Sequence, residues 1–210
     1  MNKLNYNLVA LAVLIILNIV GIVGLNMASS RAYFESIAHI NISISLVLVL
    51  FADDWKSPKL YTFFAIAFVT GMLLEIVGVQ TGIIFGKYHY TDTFGLTIIG
   101  VPVVIGFNWF LLTVCVLNLI KIRNDFLRAI LGGIAMTATD FILEPFAIKH
   151  GFWVWDISGT PPFQNYFAWF IISSVLSLVY IKLQMGSLNR LAVYYLLILV
   201  LFLLIDNFIG

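Results

Sequence analysis

Charged side chains are scarce in this chain of 210 residues: Asp, Glu, Lys and Arg make up 10% of it, against roughly a quarter in a soluble domain. That excludes an ordinary water-facing surface. The net charge of +1 supplies no basic field, so no nucleic-acid partner is expected. There is one cysteine, Cys115, inside an apolar run, which excludes an intramolecular disulfide and leaves the redox compartment open. The three histidines, His39, His89 and His150, are scattered. A membrane di-iron desaturase or hydroxylase needs many more imidazole ligands, so a metal oxygenase is disfavoured and no metal or other cofactor is expected. The last apolar segment carries no lysine for a retinal Schiff base. A GxGxxG fingerprint, a P-loop and a nucleophile elbow are also missing. No small-residue cleavage site follows the first apolar run, which reads as an uncleaved spanning helix.

What is present is hydrocarbon. Hydrophobic residues make up 62% of the chain and the mean hydropathy is +1.06. The expected fold is all-α: a polytopic membrane bundle of about seven transmembrane helices, at about 7–27, 34–52, 60–80, 98–120, 126–147, 165–184 and 188–208. No linker divides them, so residues 1–210 read as one integral membrane domain. The seventh segment, nearly pure Leu, Ile, Val, Phe and Tyr, reads as a lipid-facing structural helix. Eight basic residues fall on the N-terminal side of the membrane (Lys3, Lys56, Lys59, Lys121, Arg123, Arg128, Lys182, Arg190) and three on the other (Arg31, Lys87, Lys149). The positive-inside rule therefore predicts a cell-membrane protein with its N-terminus cytoplasmic and Gly210 outside. The connections 81–97 and 148–164 fall on the outer side.

Those two connections resemble each other. Glu75 lies thirteen residues before Tyr88-His89-Tyr90, and Asp140 thirteen before Trp153-Val154-Trp155. Gly100-Val101-Pro102 follows the first pair and Gly159-Thr160-Pro161 the second. Asn108 and Trp109 come next in one case, Asn165 and Trp169 in the other. Residues 60–120 and 126–184 are candidate units of a weak internal repeat of two helix-loop-helix units, related by an axis along the membrane normal.

The acids in these segments are the candidate chemistry. Asp140 and Glu144 are four apart, one turn along a single helical face, with Thr137 one turn below. Pro145 follows and leaves the carbonyl of Phe141 without its helical partner. Glu75 sits at similar depth in its own segment, flanked by Gly71 and Gly78, which would allow a neighbouring helix to approach. One reading is structural: acids bonded to Asn, Thr or Tyr to fix helix register. The other is functional, since intramembrane acids mark active sites and ion paths. A carboxyl group in apolar surroundings with a second acid beside it tends to keep its proton and can serve as a general acid. Tyr88, Tyr90, Trp109, Trp153, Trp155 and Trp169 offer π-faces to a cation. Together they suit protonation of a carbon–carbon double bond. For Trp153 and Trp155 an interfacial belt reads equally well. Asp156, His89 and His150 read as interfacial hydrogen-bonding groups in support.

The run Glu75-x-x-Gly78-x-x-Thr81-Gly82-x-x-Phe85-Gly86-x-Tyr88-x-Tyr90 resembles the first motif of the membrane carotenoid hydratases, the cyanobacterial-type carotenoid 1,2-hydratases and the haloarchaeal bisanhydrobacterioruberin hydratase. Gly100-Val101-Pro102 and Trp109 continue it. Asp140-x-x-x-Glu144-Pro145-x-Ala147 with Trp153-x-Trp155, then Pro162-x-x-Asn165-x-x-x-Trp169, resemble the second and third motifs. The resemblance covers about residues 70–170. Ala168, where glycine is expected, and the short double-proline turn Gly159 to Pro162 depart from it and bear on substrate fit.

The resemblance implies water addition across the terminal double bond of an acyclic carotenoid held in the bilayer, with no redox cofactor, and other carotenoid-pathway enzymes as candidate partners. The residues themselves suggest the roles. Asp140, the deeper acid, is the expected proton donor; Glu144 holds and deprotonates water; Glu75 completes the water site or steadies the cation. Tyr88, Tyr90, Asn108, Trp109, Trp153, Trp155, Asn165 and Trp169 are the expected substrate contacts. Two other readings stay open: a lycopene cyclase-type carotenoid cyclase, and a lipid or proton transporter whose acids form a relay.

Overall fold

A computed structural model describes residues 3–52, 56–157, 159–184 and 189–209. Gly210 and the expected start of the seventh segment at 188 lie outside them. Among the described residues seven helices follow one another: α1 (Lys3–Asn26), α2 (Arg31–Ala52), α3 (Pro58–Thr81), α4 (Val103–Leu119), α5 (Asp125–Lys149), α6 (Phe163–Lys182) and α7 (Arg190–Ile209). The apolar runs become helices because a helix closes its own backbone hydrogen bonds where lipid offers none. Six of the seven are long and apolar enough to cross a membrane, and the architecture is an all-α polytopic bundle. The seventh, α4, has 17 residues.

The shortness of α4 corrects the expected span of 98–120. Residues 97–102 instead form a small hairpin of β2 (Thr97–Ile98) and β3 (Val101–Pro102), in which Ile98 pairs with Val101. Ile99 and Gly100 turn it with positive φ angles of 50° and 80°, the geometry of a two-residue hairpin turn. Pro102 then stands at the N-cap of α4.

Helix α4 is the axis of the bundle. It touches α2, α3, α5, α6 and α7, and Phe110 to Asn118 form an unbroken buried run. Helix α1 packs on α2 and α7. Helices α5 and α6 approach closely because Gly132 and Gly133 carry no Cβ, which would meet Ser177, Ser174 and the carbonyl of Phe170. At the end away from the site, Asn124 caps α5 by accepting from the amide of Leu127 at 2.9 Å. Arg128 there donates to the carbonyls of Leu117 in α4 and of Ile120 just past its end, at 2.6 and 3.0 Å.

The other end carries the two long connections. Gly82, at φ 69°, ends α3 in a left-handed cap, its amide bonded to the carbonyl of Gly78 at 2.7 Å. The chain then forms β1 (Tyr88–Tyr90). After α5 it forms β4 (Trp153–Trp155). These strands pair antiparallel: Tyr88 with Trp155, His89 with Val154, Tyr90 with Trp153. Strand alternation sends the four aromatic rings to one face and His89 and Val154 to the other.

The last segment, expected to be lipid-facing, exposes Leu197, Leu201 and Phe208 but has a buried face as well. Asp206 in α7 is fully buried. It accepts from Lys149 Nζ at 3.0 Å and Asn26 Nδ2 at 2.7 Å, and lies 3.0 Å from His150 Nε2. His150 Nδ1 in turn lies 3.0 Å from Glu35. This network fastens α1, α2, α5 and α7 together. One acid and a few apolar residues turned inward give α7 a core face that its composition hides.

Candidate active site

Glu75 leaves the inward face of α3 about two turns before Gly82. Its Oε2 accepts from the hydroxyls of Tyr88 and of Tyr90, the latter at 2.9 Å, and its Oε1 from Trp109 Nε1 at 3.2 Å. Three donors on one carboxyl group are a large share of its capacity. Asp140 and Glu144 point inward from successive turns of α5. Glu144 Oε2 accepts from both indoles of β4, Trp153 at 3.1 Å and Trp155 at 3.0 Å. Asp140 Oδ2 accepts from Asn165 Nδ2 at 2.8 Å, in the first turn of α6. All three carboxyl groups are buried, at 3, 2 and 3% exposure for Glu75, Asp140 and Glu144.

They line one cavity of about 420 Å³. Tyr88, Tyr90, Asn108, Trp109, Trp153, Trp155, Asn165 and Trp169, the expected substrate contacts, line it too. Trp109 and Trp169 stack with ring centroids 4.1 Å apart and planes at 19°. Above them Tyr88 lies 5.0 Å from Trp155 and Tyr90 5.8 Å from Trp153. Gly71 makes room for the indole of Trp109, and Gly78 for the ring of Phe85, so these glycines admit aromatic rings at α3. Burial first and the charge of Glu75 second hold the phenols of Tyr88 and Tyr90 well above the ordinary tyrosine range, so both act as hydrogen-bond donors.

Trp153 and Trp155 are thus buried, with both indole N–H groups turned inward to Glu144. The expected supporting residues Asp156, His89, His150 and Thr137 do not line the cavity. His89 stands on the outer face of β1, its Nδ1 2.7 Å from Asp156, and both side chains are about half exposed. His150 lies beyond the end of α5, in the network with Glu35 and Asp206. Thr137 returns its hydroxyl to the carbonyl of Gly133 at 2.9 Å.

Sequence reasoning missed the far wall of the cavity. Phe34 and Asn41 on α2, Asn18 on α1 and Tyr195, Leu199 and Phe202 on α7 form part of it. The carboxamides Asn18 and Asn41, each inside an apolar helix, were the available signal.

The arrangement defines a class: a polytopic helical membrane protein with a cavity of carboxyl groups and aromatic rings near one end of the bundle. The family model described as "Carotenoid biosynthesis protein" matches residues 34–209. The chain belongs to this family. The bisanhydrobacterioruberin hydratase of Haloarcula japonica is 29% identical over 119 residues, 51% of this chain and 40% of that protein. The match therefore spans less than half the length of that relative. No solved structure matches the chain.

Proposed function

We propose that this protein is a carotenoid hydratase, adding water across the terminal double bond of an acyclic carotenoid end group. The observation that carries the reading is the convergence of Glu75, Asp140 and Glu144 on one cavity walled by tyrosines and tryptophans. The cavity runs along α7 from Tyr195 to Leu203, about 12 Å at 1.5 Å per residue. That length holds an end group, and the rest of a long polyene stays in lipid.

The donors sort the three acids. N–H and O–H donors stabilise a carboxylate. Glu75 receives three, Glu144 two and Asp140 one. Asp140 is the acid: it gives its proton to the less substituted alkene carbon, and the more substituted carbon becomes a tertiary cation. Aromatic faces and the Glu75 carboxylate steady the cation. Water adds to it while the Glu144 carboxylate takes the water's proton, which leaves a tertiary alcohol. Proton transfer from Glu144 to Asp140, one turn away, restores the starting state. Asn108, which lines the cavity, is placed to orient that water. No redox chemistry enters.

The strand register supports the repeat as well. Pairing of residue 88 with 155, 89 with 154 and 90 with 153 is what a two-fold axis between His89 and Val154 produces when 88–90 corresponds to 153–155. The charge count supports a cytoplasmic N-terminus with the site in the outer half of the membrane.

Expression in a carotenoid-producing host grown with isotopically labelled water tests the function. The expected result is one labelled oxygen per reacted end. Ring closure without label would make the protein a cyclase. Unchanged pigment would favour transport or binding.

A further inference from the structure

Beyond the carboxyl groups the cavity reaches a wall of α1, α2 and α7. Three of its lining residues are exposed on the outside of the bundle: Val20 at 49%, Tyr33 at 64% and Ile40 at 45%. All three belong to the α1–α2 hairpin, so the mouth lies there and opens sideways into lipid. This hairpin carries two carboxamides into the mouth, Asn18 and Asn41. Asn18 is eight residues before the end of α1 and Asn41 ten after the start of α2. At 1.5 Å per residue these are about 12 and 15 Å from the turn, nearly one depth.

Asn18 is 6% exposed, and its Nδ2 donates to the carbonyl of Leu14 at 2.8 Å. Its Oδ1 receives no hydrogen bond from the described residues. Asn41 Oδ1 accepts from Ser45 Oγ at 3.3 Å, and its Nδ2 donates to none of the described residues. A free acceptor and a free donor therefore line the same space. A hydroxyl group, which gives one hydrogen bond and accepts others, complements both.

We propose that Asn18 and Asn41 form a hydroxyl-binding subsite at the lipid-side mouth, which takes the tertiary alcohol of an isoprenoid product on its way out. The proposal rests on the hydratase reading. A hydroxyl group passing from the carboxyl groups into hydrocarbon loses every hydrogen bond it has, and a carboxamide pair at the mouth divides that loss into two steps. Asn18 lies outside residues 34–209, the stretch the family model matches, and Asn41 lies inside it.

Binding tests it without turnover. The full chain, carrying Asp140→Asn, is titrated in lipid nanodiscs with a short acyclic isoprenoid tertiary alcohol and with the parent alkene, followed by quenching of the cavity tryptophans. Asn18→Leu and Asn41→Val are each expected to weaken the alcohol about three- to tenfold, the effect of one hydrogen bond, and to leave the alkene unchanged. The alkene reports an intact cavity in the same titration. Asn41→Val leaves the Asn18–Leu14 bond in place and decides the matter if Asn18→Leu damages α1. An unchanged alcohol-to-alkene ratio in Asn41→Val overturns the proposal, whether both ligands weaken together or the pair holds only water. Failure of the hydratase reading looks different: the unmodified chain makes no alcohol from alkene, whatever the ratio.

Discussion

Replacing Asp140 by asparagine is the sharpest perturbation of the proposed mechanism. The side chains have nearly the same shape, so no cavity opens at this site of 2% exposure. The new amide oxygen can still accept from Asn165 Nδ2, which now lies 2.8 Å from Oδ2. The cost to folding should therefore stay within about 1 kcal/mol, the net worth of one hydrogen bond. What disappears is the carboxyl proton. General acid catalysis contributes a factor of about 10² to 10⁴, which is about 2.7–5.4 kcal/mol of barrier at 1.36 kcal/mol per decade. An unactivated alkene belongs at the upper end. Glu144, one turn away on the same face, is the group that could substitute, so Asp140→Asn with Glu144→Gln sets the floor. The assay is alcohol formed per unit of folded protein in membranes, with bound pigment as the control for substrate binding. A folded Asp140→Asn protein that hydrates within a few-fold of the unmodified chain would remove Asp140 from the mechanism and leave Glu144 as the donor.

Four further outcomes are expected. Glu144→Gln should slow water capture and return cation to alkene, seen as deuterium exchange at the end group in heavy water outpacing net hydration; hydration as fast as exchange would clear Glu144 of the role. Asp206→Ala strands Lys149 and His150 without their buried partner, and thermal unfolding in detergent should register a loss of about 3–5 kcal/mol; a loss well under that would mean the network is dispensable. The phenols of Tyr88 and Tyr90 are raised in the fold, so their contribution to stability is complete below the unfolded tyrosine value of about 10 and fades as pH climbs through their folded values; stability of Tyr88→Phe, Tyr90→Phe should lose less than the parent over that alkaline range, and equal slopes would refute the assignment. Single cysteines introduced into 148–164 in a Cys115→Ala background should react with an impermeant reagent from outside, and those in 121–125 should not; the reverse pattern would invert the bundle.

Much of this protein is decided along the chain itself. Helix existence and the bundle class follow from hydropathy, because in lipid a continuous apolar run has little choice but to close its own hydrogen bonds. Asp140 and Glu144 share a face by helical periodicity, and Tyr88 and Tyr90 share one by strand alternation. These are local rules with fixed periods. Other features belong to the tertiary fold. The pairing of Tyr88 with Trp155 joins segments 67 residues apart, and this strand pairing turns two loops into a roof over Glu75 and Glu144. The same alternation that brings the aromatics in puts His89 and its partner Asp156 outside. Helix α7 looked uniformly greasy, yet Asp206 is buried against Lys149 and His150, because which face of an apolar helix meets lipid depends on its neighbours. The α1–α2 wall, with Asn18 and Asn41 at its mouth, belongs here too: a carboxamide in an apolar helix is a signal, but it carries no address until packing aims it into a cavity.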